Sequence, residues 1–304
     1  MGGTGLIGSA LADTLRRRGD EVVIISRSKL DLPGAVKWDP VKGVQRVSSL
    51  EGLDGLFNLA GAPLATRPWT LRRRALLRAS RIDATEVLLE SLAELDAPPA
   101  VYVGVGLLGL FGDSGEKPLD EEAPRGTGFL ADLAAEWEAA HLAAADLGVR
   151  ASVLRLSIVL SPTGGVFPLM VPPFRIMGGW LGNGQQWTSW LTIRDCVGAL
   201  IHLADNPECE GPFNGTVPEP LRNKAWLRAL GTVLHRPVAT HAPKWALRGA
   251  LGDLADELLI ASLRAIPQKL VNTGYNFVDG DAEEAFRWMV AEIDRRERVP
   301  PTEG

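Results

Sequence analysis

A cluster of glycines near the start is the feature that most constrains how this chain of 304 residues folds. Residues 1–8 read Met-Gly-Gly-Thr-Gly-Leu-Ile-Gly and lead into an apolar pattern with helical spacing, at Ile7, Ala10, Leu11 and Leu15. Three arginines and Gly19 predict the end of that helix. The run Val-Val-Ile-Ile at 22–25 is typical of a strand buried on both faces of a parallel sheet. The opening therefore predicts a glycine turn, a helix and a buried strand.

Further strand and helix patterns alternate along the first half of the chain. Candidate strands lie at 56–59, 101–103 and 152–156, and helical stretches lie near 69–95 and 129–147. This alternation predicts an α/β fold with a doubly wound parallel sheet of the Rossmann type.

The pattern changes after residue 161. Prolines and glycines crowd 162–184, which leaves little room for long regular structure. A helix is predicted after Asp195, and mixed loops and helices, including 245–265 and 281–296, follow.

We expect two parts that pack tightly against each other. One is a Rossmann domain formed by 1–160 and 190–216, and the other is a smaller, substrate-side domain formed by 161–189 and 217–304.

Composition and charge exclude several classes of function. The chain has 32 Lys and Arg against 37 Asp and Glu, a net charge of −5, so it lacks the basic field that nucleic-acid binding requires. Its two cysteines have neither disulfide nor metal-site spacing, so no metal is expected and a reducing compartment fits. The sequence shows no apolar run of about 18 residues and no signal-peptide pattern. We expect a cytoplasmic protein with a small-molecule substrate; the sequence does not predict its oligomeric state.

The glycine spacing fits two related dinucleotide-binding patterns, Gly3-x-Gly5-x-x-Gly8 and Gly2-x-x-Gly5-x-x-Gly8. Glycine is needed because a Cβ would keep the backbone away from a diphosphate, whose charge is met by amides at a helix N-terminus. The candidate cofactor contacts are Gly2, Thr4, Gly5, Leu6, Ile7 and Gly8. The alternative is a tight structural turn, but the helix and strand that follow favour the binding turn.

The residues that end the next strand distinguish the two nicotinamide cofactors. A carboxylate there binds the ribose 2′-hydroxyl of NAD, whereas an arginine accommodates the 2′-phosphate of NADP. This chain has Ser26 and Arg27, and the next carboxylate is Asp31. The sequence therefore favours NADP(H), with Ser26 and Arg27 as phosphate contacts; the alternative is that Arg27 only lies in solvent.

Only Met1 precedes the glycine turn, whereas this pattern normally follows a strand. In this fold the first strand lies in the middle of the sheet, where both neighbours depend on it for backbone hydrogen bonds. We therefore expect the natural protein to carry about five or six further apolar residues before Met1, the length of an ordinary strand.

Short motifs over nearly the whole chain indicate one family. They lie at 2–8, 58–61, 80–81, 111–113, 137–140, 154–155, 184–190 and 211–214. In this order and spacing they resemble the extended short-chain dehydrogenase/reductases, specifically the sugar-epimerase-like subgroup called family 39U. The tail from about 240, with Pro243, 252–255 and 266–270, resembles that subgroup's C-terminal domain of unknown function.

The resemblance implies an NADP(H) cofactor bound beyond the carboxyl ends of the strands. It also implies three residues beside the adenosine half: Leu59, Ala60 and Gly61. Arg81 would reach the cofactor and Val159 would lie toward the nicotinamide. For Arg81 the alternative is a solvated helix face, which is the preferred interpretation for the run Arg72-Arg73-Arg74.

The chain lacks the proton-transfer pair of this superfamily. Short-chain dehydrogenases use Tyr-x-x-x-Lys on one helix face, where the lysine lowers the pKa of the phenol from about 10. Neither Tyr102 nor Tyr275 has a lysine four residues later. By resemblance the pair would stand at Phe129 and Leu133, which cannot transfer a proton.

Other acid and base positions of the subgroup are also altered. The turn at 104–112 carries Gly, Leu and Phe where the subgroup usually has Ser and Tyr, and Thr192 replaces a histidine. The catalytic residues therefore stay unknown from the sequence.

Several polar residues are candidates for the substrate side. We expect Arg175, Gln185 and Trp187 to contact an anionic or sugar-like substrate, although Trp187 and Trp190 could equally be core residues. The loop carboxylates Asp113 and Glu116 could reach the site, but such groups are usually solvated.

The remaining candidates are given structural roles. Asp195 is predicted to be the N-cap of its helix. We predict that His202 is packed on an apolar face, and that Cys196 and Cys209 are unreactive thiols.

Two functions fit these residues. The first is an NADP-dependent oxidoreductase or epimerase-like enzyme that acts on a small, for example sugar-derived, substrate without the Tyr-x-x-x-Lys pair. The second is a catalytically silent NADP(H)-binding sensor or interaction protein, which the missing pair favours.

Overall fold

The computed structural model describes residues 1–28, 35–65 and 67–298. Its α-helices are α1 (Leu6–Arg18), α2 (Leu71–Ala79), α3 (Ile82–Ala93), α4 (Phe129–Leu142), α5 (Phe167–Phe174), α6 (Ile193–Asp205), α7 (Asn223–Val233), α8 (Lys244–Leu251), α9 (Gln268–Asn272) and α10 (Ala282–Arg298). Shorter 3-10 helices lie at Val47–Leu50, Leu108–Phe111 and Ala143–Leu147, and a π-helical turn lies at Ala255–Ile260.

The strands are short except at the centre of the fold. They are β1 (Ile25–Ser26), β2 (Val36–Asp39), β3 (Gly43–Val44), β4 (Gly55–Asn58), β5 (Val101–Leu107), β6 (Pro118–Leu119), β7 (Arg150–Leu156), β8 (Ile158–Ser161), β9 (Gly164–Gly165), β10 (Gly178–Leu181), β11 (Trp187–Thr188), β12 (Trp190–Thr192), β13 (Gly211–Gly215), β14 (Leu221–Arg222), β15 (Val238–Ala242) and β16 (Arg264–Ala265).

Four parallel strands form the central sheet, in the order β13-β7-β5-β4. Val103 of β5 faces α1 and α6, where it shares a core with Leu11 and Leu200. Tyr102 points to the opposite face, where it packs with Leu88 of α3. Helices therefore cover both faces, and the predicted doubly wound parallel sheet is confirmed.

The strand predicted at 22–25 is wrong in extent. Regular pairing is confined to Ile25–Ser26, which runs parallel to β2, with one further bond from the amide of Val36 to the carbonyl of Ile24. The other edge of this segment faces a cleft rather than a strand, and a segment paired on one side only is weakly held in extended form.

Two predicted helical stretches are also interrupted. The stretch near 69–95 divides into α2 and α3 at Ser80 and Arg81. The stretch at 245–265 contains α8, the π-helical turn and then β16, because Ala265 pairs with Leu119 of β6.

A second apolar core lies among α5, α7 and α10. The buried ring of Phe286 lies 5.7 Å from Phe167, 6.2 Å from Trp190 and 5.6 Å from Trp226. Trp190 is therefore a core residue. Of the helices in the described ranges, none combines the length and apolar character needed to span a membrane.

Candidate functional site

The glycine turn and the end of β4 are in backbone contact. Gly2 has φ +80°, and a Cβ on it would lie 2.8 Å from the carbonyl carbon of Leu59. A Cβ on Gly8 would lie 2.2 Å from the Gly2 carbonyl oxygen and 2.7 Å from the Cα of Gly3. The structure thus brings Gly2 and Gly8 together with Leu59 and Ala60, as a dinucleotide site of this fold requires.

The start of α1 is suited to an anion. Gly5 precedes the helix and has no side chain to cap it, and the first turn carries no acidic residue. The first amides of the helix, those of Leu6, Ile7 and Gly8, therefore present the positive end of the helix dipole. Thr4 and Gly5 are exposed beside them, so this cradle fits the diphosphate of a dinucleotide.

The loop after β4 is held from below by a buried arginine. Arg81 donates to the carbonyl of Ala62 at 2.9 Å, stacks on the ring of Trp137 at 4.9 Å, and lies directly under Gly61. It is only 5% exposed, so the solvated-face alternative for Arg81 is wrong. Burial, with a smaller effect of the nearby Arg73 charge, lowers the pKa of Arg81 to about 10.

Three further predicted cofactor residues, Val159, Ser26 and Arg27, lie on β8 or at the end of β1. A Cβ on Gly165 would lie 3.2 Å from Leu6 and 3.7 Å from the carbonyl oxygen of Val159, so the β8–β9 hairpin meets the start of α1. At the end of β1, the hydroxyl of Ser26 accepts from the amide of Ser28 at 3.3 Å, and Arg27 is exposed. Asp31 lies outside the described residues.

The run Arg72-Arg73-Arg74 is not the uniformly solvated face that was expected. Arg73 donates to the carbonyl of Pro63. Arg74 binds Asp253 and lies over the ring of Phe129 at 4.7 Å. Only Arg72 is exposed, because Pro63 and Asp253 bring backbone and side-chain acceptors to the other two.

The position at which the resemblance predicts the tyrosine of the pair, Phe129, is packed with apolar groups. Phe129 lies against Trp69, with ring centroids 5.2 Å apart, and Leu133 is buried. Nearby, the carboxylate of Glu257 accepts from the amide of Leu130 at 2.7 Å. No sequence motif indicates Glu257, which reaches α4 from the C-terminal part of the chain.

The stretch that was predicted to be a turn at 104–112 begins inside β5, and two of its glycines have no room for a side chain. A Cβ on Gly104 would lie 2.5 Å from the ring of His141, and a Cβ on Gly109 would lie 2.3 Å from Leu130. Glycine is therefore required here by packing.

A buried chain of polar groups lies beneath this turn. Asn58 donates to the hydroxyl of Tyr102 at 2.9 Å, and that hydroxyl lies 2.7 Å from Nδ1 of His141. Burial raises the pKa of Tyr102 and lowers the pKa of His141 to about 3, so both are neutral near pH 7. All three side chains are fully buried, so they stabilise the sheet and do not contact a ligand.

A surface cluster gathers several of the predicted substrate residues. Trp187 lies between two guanidinium groups, with Arg222 at 4.2 Å and Arg264 at 4.6 Å from its ring. Glu116 accepts from the Trp187 indole at 3.1 Å and from Arg222, and this ion pair holds the pKa of the Glu116 carboxyl below its usual range. Arg222 also donates to the carbonyl of Gln185. Neither arginine could be identified from the sequence, because both are distant from Trp187 along the chain.

The cluster borders an open pocket of about 500 Å³, lined by Gln185, Arg222, Lys224 and Arg228 among others. Arg175 lies elsewhere, at the end of α5, where its guanidinium binds Asp294 and Glu297 of α10. The structure therefore brings Gln185 and Trp187 together but not Arg175.

The prediction that Asp195 caps its helix is wrong. Thr192 is the N-cap, because its hydroxyl accepts from the amide of Asp195 at 3.3 Å. The buried carboxylate of Asp195 instead accepts from the Tyr275 hydroxyl at 3.0 Å and from the amides of Val278 and Asp279 at 2.8 and 2.9 Å. These hydrogen bonds hold the loop before α10 against α6.

The remaining candidates have local structural contacts. Asp113 accepts from the amide of Ser262 at 3.1 Å, and His202 lies 3.0 Å from the hydroxyl of Thr273. Cys196 and Cys209 are buried; burial raises the pKa of Cys196 to about 12 and also raises that of Cys209. Such thiols are unreactive.

Similar proteins share both parts of this architecture. The NAD dependent epimerase/dehydratase family matches residues 1–214, and a domain of unknown function, DUF1731, matches residues 242–289. An epimerase family protein of Mycobacterium bovis is 37% identical over 286 residues, which cover 94% of each chain. The human epimerase family protein SDR39U1 is 31% identical over 294 residues, which cover 95% of this chain and 98% of the human one.

The crystal structure of human SDR39U1 (isoform 2) with NADPH has the same fold. It matches with a TM-score of 0.87 and 29% identity over 95% of this chain and 97% of that chain. The resemblance to the 39U subgroup and to its C-terminal domain is thereby confirmed. The chain belongs to the NAD-dependent epimerase/dehydratase family.

Proposed function

We propose that this chain binds NADPH, with the diphosphate at the start of α1 and the 2′-phosphate beside Ser26 and Arg27. The observation that carries this proposal is the close approach of Gly2 to Leu59 below an uncapped helix N-terminus. The NADPH in the human relative's structure agrees with it. Leu59, Ala60, Gly61 and Val159 then border the cofactor, and Arg81 supports the loop that carries Gly61.

The chemistry that this cofactor would support is reduction of a carbonyl carbon or, with the oxidised cofactor, epimerisation through a keto intermediate, on a small, for example sugar-derived, substrate. NADPH would supply the hydride for reduction, whereas epimerisation would need NADP+, which accepts a hydride from the substrate and returns it. The substrate oxygen also needs a proton, and Phe129 and Leu133 stand where the usual pair would supply it. Glu257, beside Phe129 at the start of α4, is the carboxyl group that we would test first.

The substrate would lie between the Rossmann domain (1–160 and 190–216) and the smaller domain (161–189 and 217–304). Gln185 and Trp187 are its candidate contacts, together with Arg222. Arg175 would first have to leave Asp294 and Glu297.

A second function, a silent NADP(H)-binding protein, is favoured by one observation. Packing against His141 and Leu130 leaves no room for a proton-donating side chain at Gly104 or Gly109. In that case cofactor binding would stabilise a conformation rather than support turnover.

Titration with NADPH and with NADH tests the cofactor assignment. We expect NADPH to bind more tightly, and Arg27→Ala to weaken NADPH binding by about tenfold or more, equal to about 1.4 kcal/mol, while NADH binding stays the same. Arg72→Ala, an exposed arginine on α2, is the matched control. Equal affinity for the two cofactors would contradict the assignment.

Consumption of NADPH in the presence of a panel of carbonyl substrates separates the two functions. A reductase consumes NADPH with at least one substrate, and Glu257→Gln then lowers kcat while the NADPH affinity stays unchanged. Tight binding with neither NADPH consumption nor, in the presence of NADP+, epimerisation of the matching alcohols supports the silent protein.

A further inference from the structure

The segment 243–261 joins two anchored strands and lies across α2 and α4. Before it, Ala242 of β15 pairs with Leu181 of β10. After it, the amide of Ser262 donates to the carboxylate of Asp113 at 3.1 Å, and the hydroxyl of Ser262 donates to the carbonyl of Gly115 at 2.6 Å. Between these anchors the regular structure consists of α8 and the π-helical turn.

The segment is weakly held along its length. α8 has no buried residue, and between 244 and 259 only Leu254 and Ala255 are buried. Few buried apolar contacts are typical of a region that opens at a lower free-energy cost than the core. We therefore expect the segment to open while the central sheet stays folded.

The inner side of the segment covers the carboxyl ends of two central strands. Leu254 is buried in an apolar cluster between α2 and α4, and Leu251 and Leu258 pack against the same cluster. This cluster also contacts Leu107, the last residue of β5, and Leu64, in the loop that follows β4. In an open α/β sheet, ligands bind in the crevice at the carboxyl ends of the strands. The segment therefore lies over the place where this fold binds its ligands.

Two polar contacts define the closed position of the segment. Arg74 of α2 binds Asp253, whose side chain is 65% exposed. The carboxylate of Glu257 accepts from the amide of Leu130 at 2.7 Å, at the start of α4, where Gly128 has no side chain to cap the helix. A carboxylate at a helix N-terminus and an ion pair at the surface each stabilise by only a modest amount.

The backbone of the segment contains a natural hinge. Gly252 ends α8 with φ +59° and ψ −140°, a conformation that other residues rarely adopt. A Cβ at this position would meet nothing within 4 Å, so the backbone conformation alone requires glycine. The π-helical turn at Ala255–Ile260 follows directly, and such turns are rare and occur mostly at functional sites.

We propose that the segment 243–261 is a lid that opens and closes over the carboxyl ends of β4 and β5, moving about Gly252 while β15 and β16 stay in place. The open lid admits ligands to the crevice. The closed lid excludes water and brings the carboxylate of Glu257 to the start of α4. The motion is independent of the cofactor; only its effect on NADPH release rests on the proposed function.

Amide hydrogen exchange without NADPH, at several urea concentrations below the unfolding transition, tests the motion. We expect the amides of 253–260 to be at least about 100-fold less protected than those of β5. Their exchange should also depend little on urea, because a local opening exposes little surface.

Two substitutions at glycines of the segment test the hinge. In Gly252→Ala the closed backbone is strained without a steric clash, so exchange of 253–260 should accelerate at least about fivefold. Gly249→Ala, within α8 and also with nothing within 4 Å of its Cβ position, is the matched control and should not accelerate it.

Stopped-flow measurement of NADPH dissociation tests whether the lid controls the site. We expect Gly252→Ala to release NADPH at least about fivefold faster than wild type, and Gly249→Ala to release it at the wild-type rate. Arg74→Ala, which removes the ion pair to Asp253, is a second variant and should accelerate release about twofold. Its control is Arg78→Ala, because the ion pair of Arg78 with Glu136 joins α2 to α4 and not to the lid.

Three results would overturn the proposal. The first is exchange of 253–260 that is as slow and as dependent on urea as that of β5, which would mean that the segment opens only when the whole protein unfolds. The second is equal exchange in Gly252→Ala and Gly249→Ala. The third is wild-type NADPH dissociation in Gly252→Ala despite faster exchange. A wild-type protein that binds no NADPH would contradict the cofactor assignment instead, since the exchange measurements need no cofactor.

Discussion

Backbone contact, rather than side-chain space, makes Gly8 indispensable to the nucleotide cradle. In Gly8→Ala the new methyl would meet the carbonyl of Gly2 at 2.2 Å, so the turn must open and the amides of 6–8 must move. We expect NADPH affinity to fall at least about tenfold, equal to about 1.4 kcal/mol. Titration by NADPH fluorescence, at a temperature where circular dichroism shows a folded protein, measures this.

Gly249→Ala is the matched control for that substitution. Gly249 lies in α8, with nothing within 4 Å of its Cβ position. Alanine there should leave NADPH binding unchanged and slightly stabilise the helix. Wild-type affinity in Gly8→Ala would mean that the turn does not hold the diphosphate.

His141 makes stability depend on pH, although it touches no ligand. Above a pH of about 6.5 the imidazole is neutral in both folded and unfolded chains. As the pH falls, the unfolded chain takes up a proton, whereas burial holds the pKa of His141 at about 3 in the folded chain. The unfolded state then binds more protons, so the free energy of unfolding falls by up to about 1.4 kcal/mol per pH unit between pH 6.5 and 3.

Urea unfolding at pH 7.0, 6.0 and 5.0 measures this slope. His141→Asn keeps an acceptor for the Tyr102 hydroxyl and should show a shallower loss than wild type. Protonation of the buried Met1 amino group also lowers the free energy of unfolding as the pH falls, but by the same amount in both proteins. His241→Asn, an exposed histidine, should keep the wild-type slope; the same slope in His141→Asn would contradict the assignment.

At the scale of elements, α6 and the loop before α10 depend on one another through Asp195. The carboxylate satisfies a hydroxyl and two amides inside the fold. Asp195→Ala would leave these donors without an acceptor, and we expect a loss of at least about 3 kcal/mol in the free energy of unfolding. Chemical denaturation measures this free energy. The control is Asp146→Ala, at an exposed position. A loss below about 1 kcal/mol in Asp195→Ala would show that other contacts hold the loop.

The same residue shows where sequence patterns stop being informative about elements. An acidic residue near a helix start resembles an N-cap, but which residue caps it depends on the local turn, and Thr192 takes that role. The partner of Asp195 comes from 275–279, which no local pattern indicates. The strand β7 was predicted nearly in full because its apolar residues are consecutive, whereas the prediction of β5 ended at 103 because the glycines at 104 and 106 resemble a turn.

In the candidate site, too, local features were predictable and contacts between distant parts of the chain were not. The glycine turn was predictable because its chemistry lies within eight consecutive residues. The cluster around Trp187 was only partly predictable, because Arg222 and Arg264 reach it through β14 and β16, which pair with distant strands. Glu257 reaches α4 from the C-terminal segment and was missed for the same reason.

At the scale of the whole molecule, the two proposed domains share a core. Trp190 and Leu160 belong to strands that lie in the proposed Rossmann domain, yet both pack in the cluster around Phe286 of α10. The C-terminal helix therefore supports β8 and β12, and through them the hairpin that contains Val159. Opening of the smaller part should expose the sheet as well.

Phe286→Ala tests this coupling. Removing a fully buried ring from between Phe167, Trp190 and Trp226 should cost about 3–5 kcal/mol. Because the core is shared, amide exchange should accelerate in β7 and β8 as well as in α7, and unfolding should stay one transition. Leu169→Ala, an exposed residue on α5, should change neither. Faster amide exchange in α7 with unchanged exchange in β7 and β8 would show that the two parts open independently. The shared contacts of Trp190 argue against independent opening.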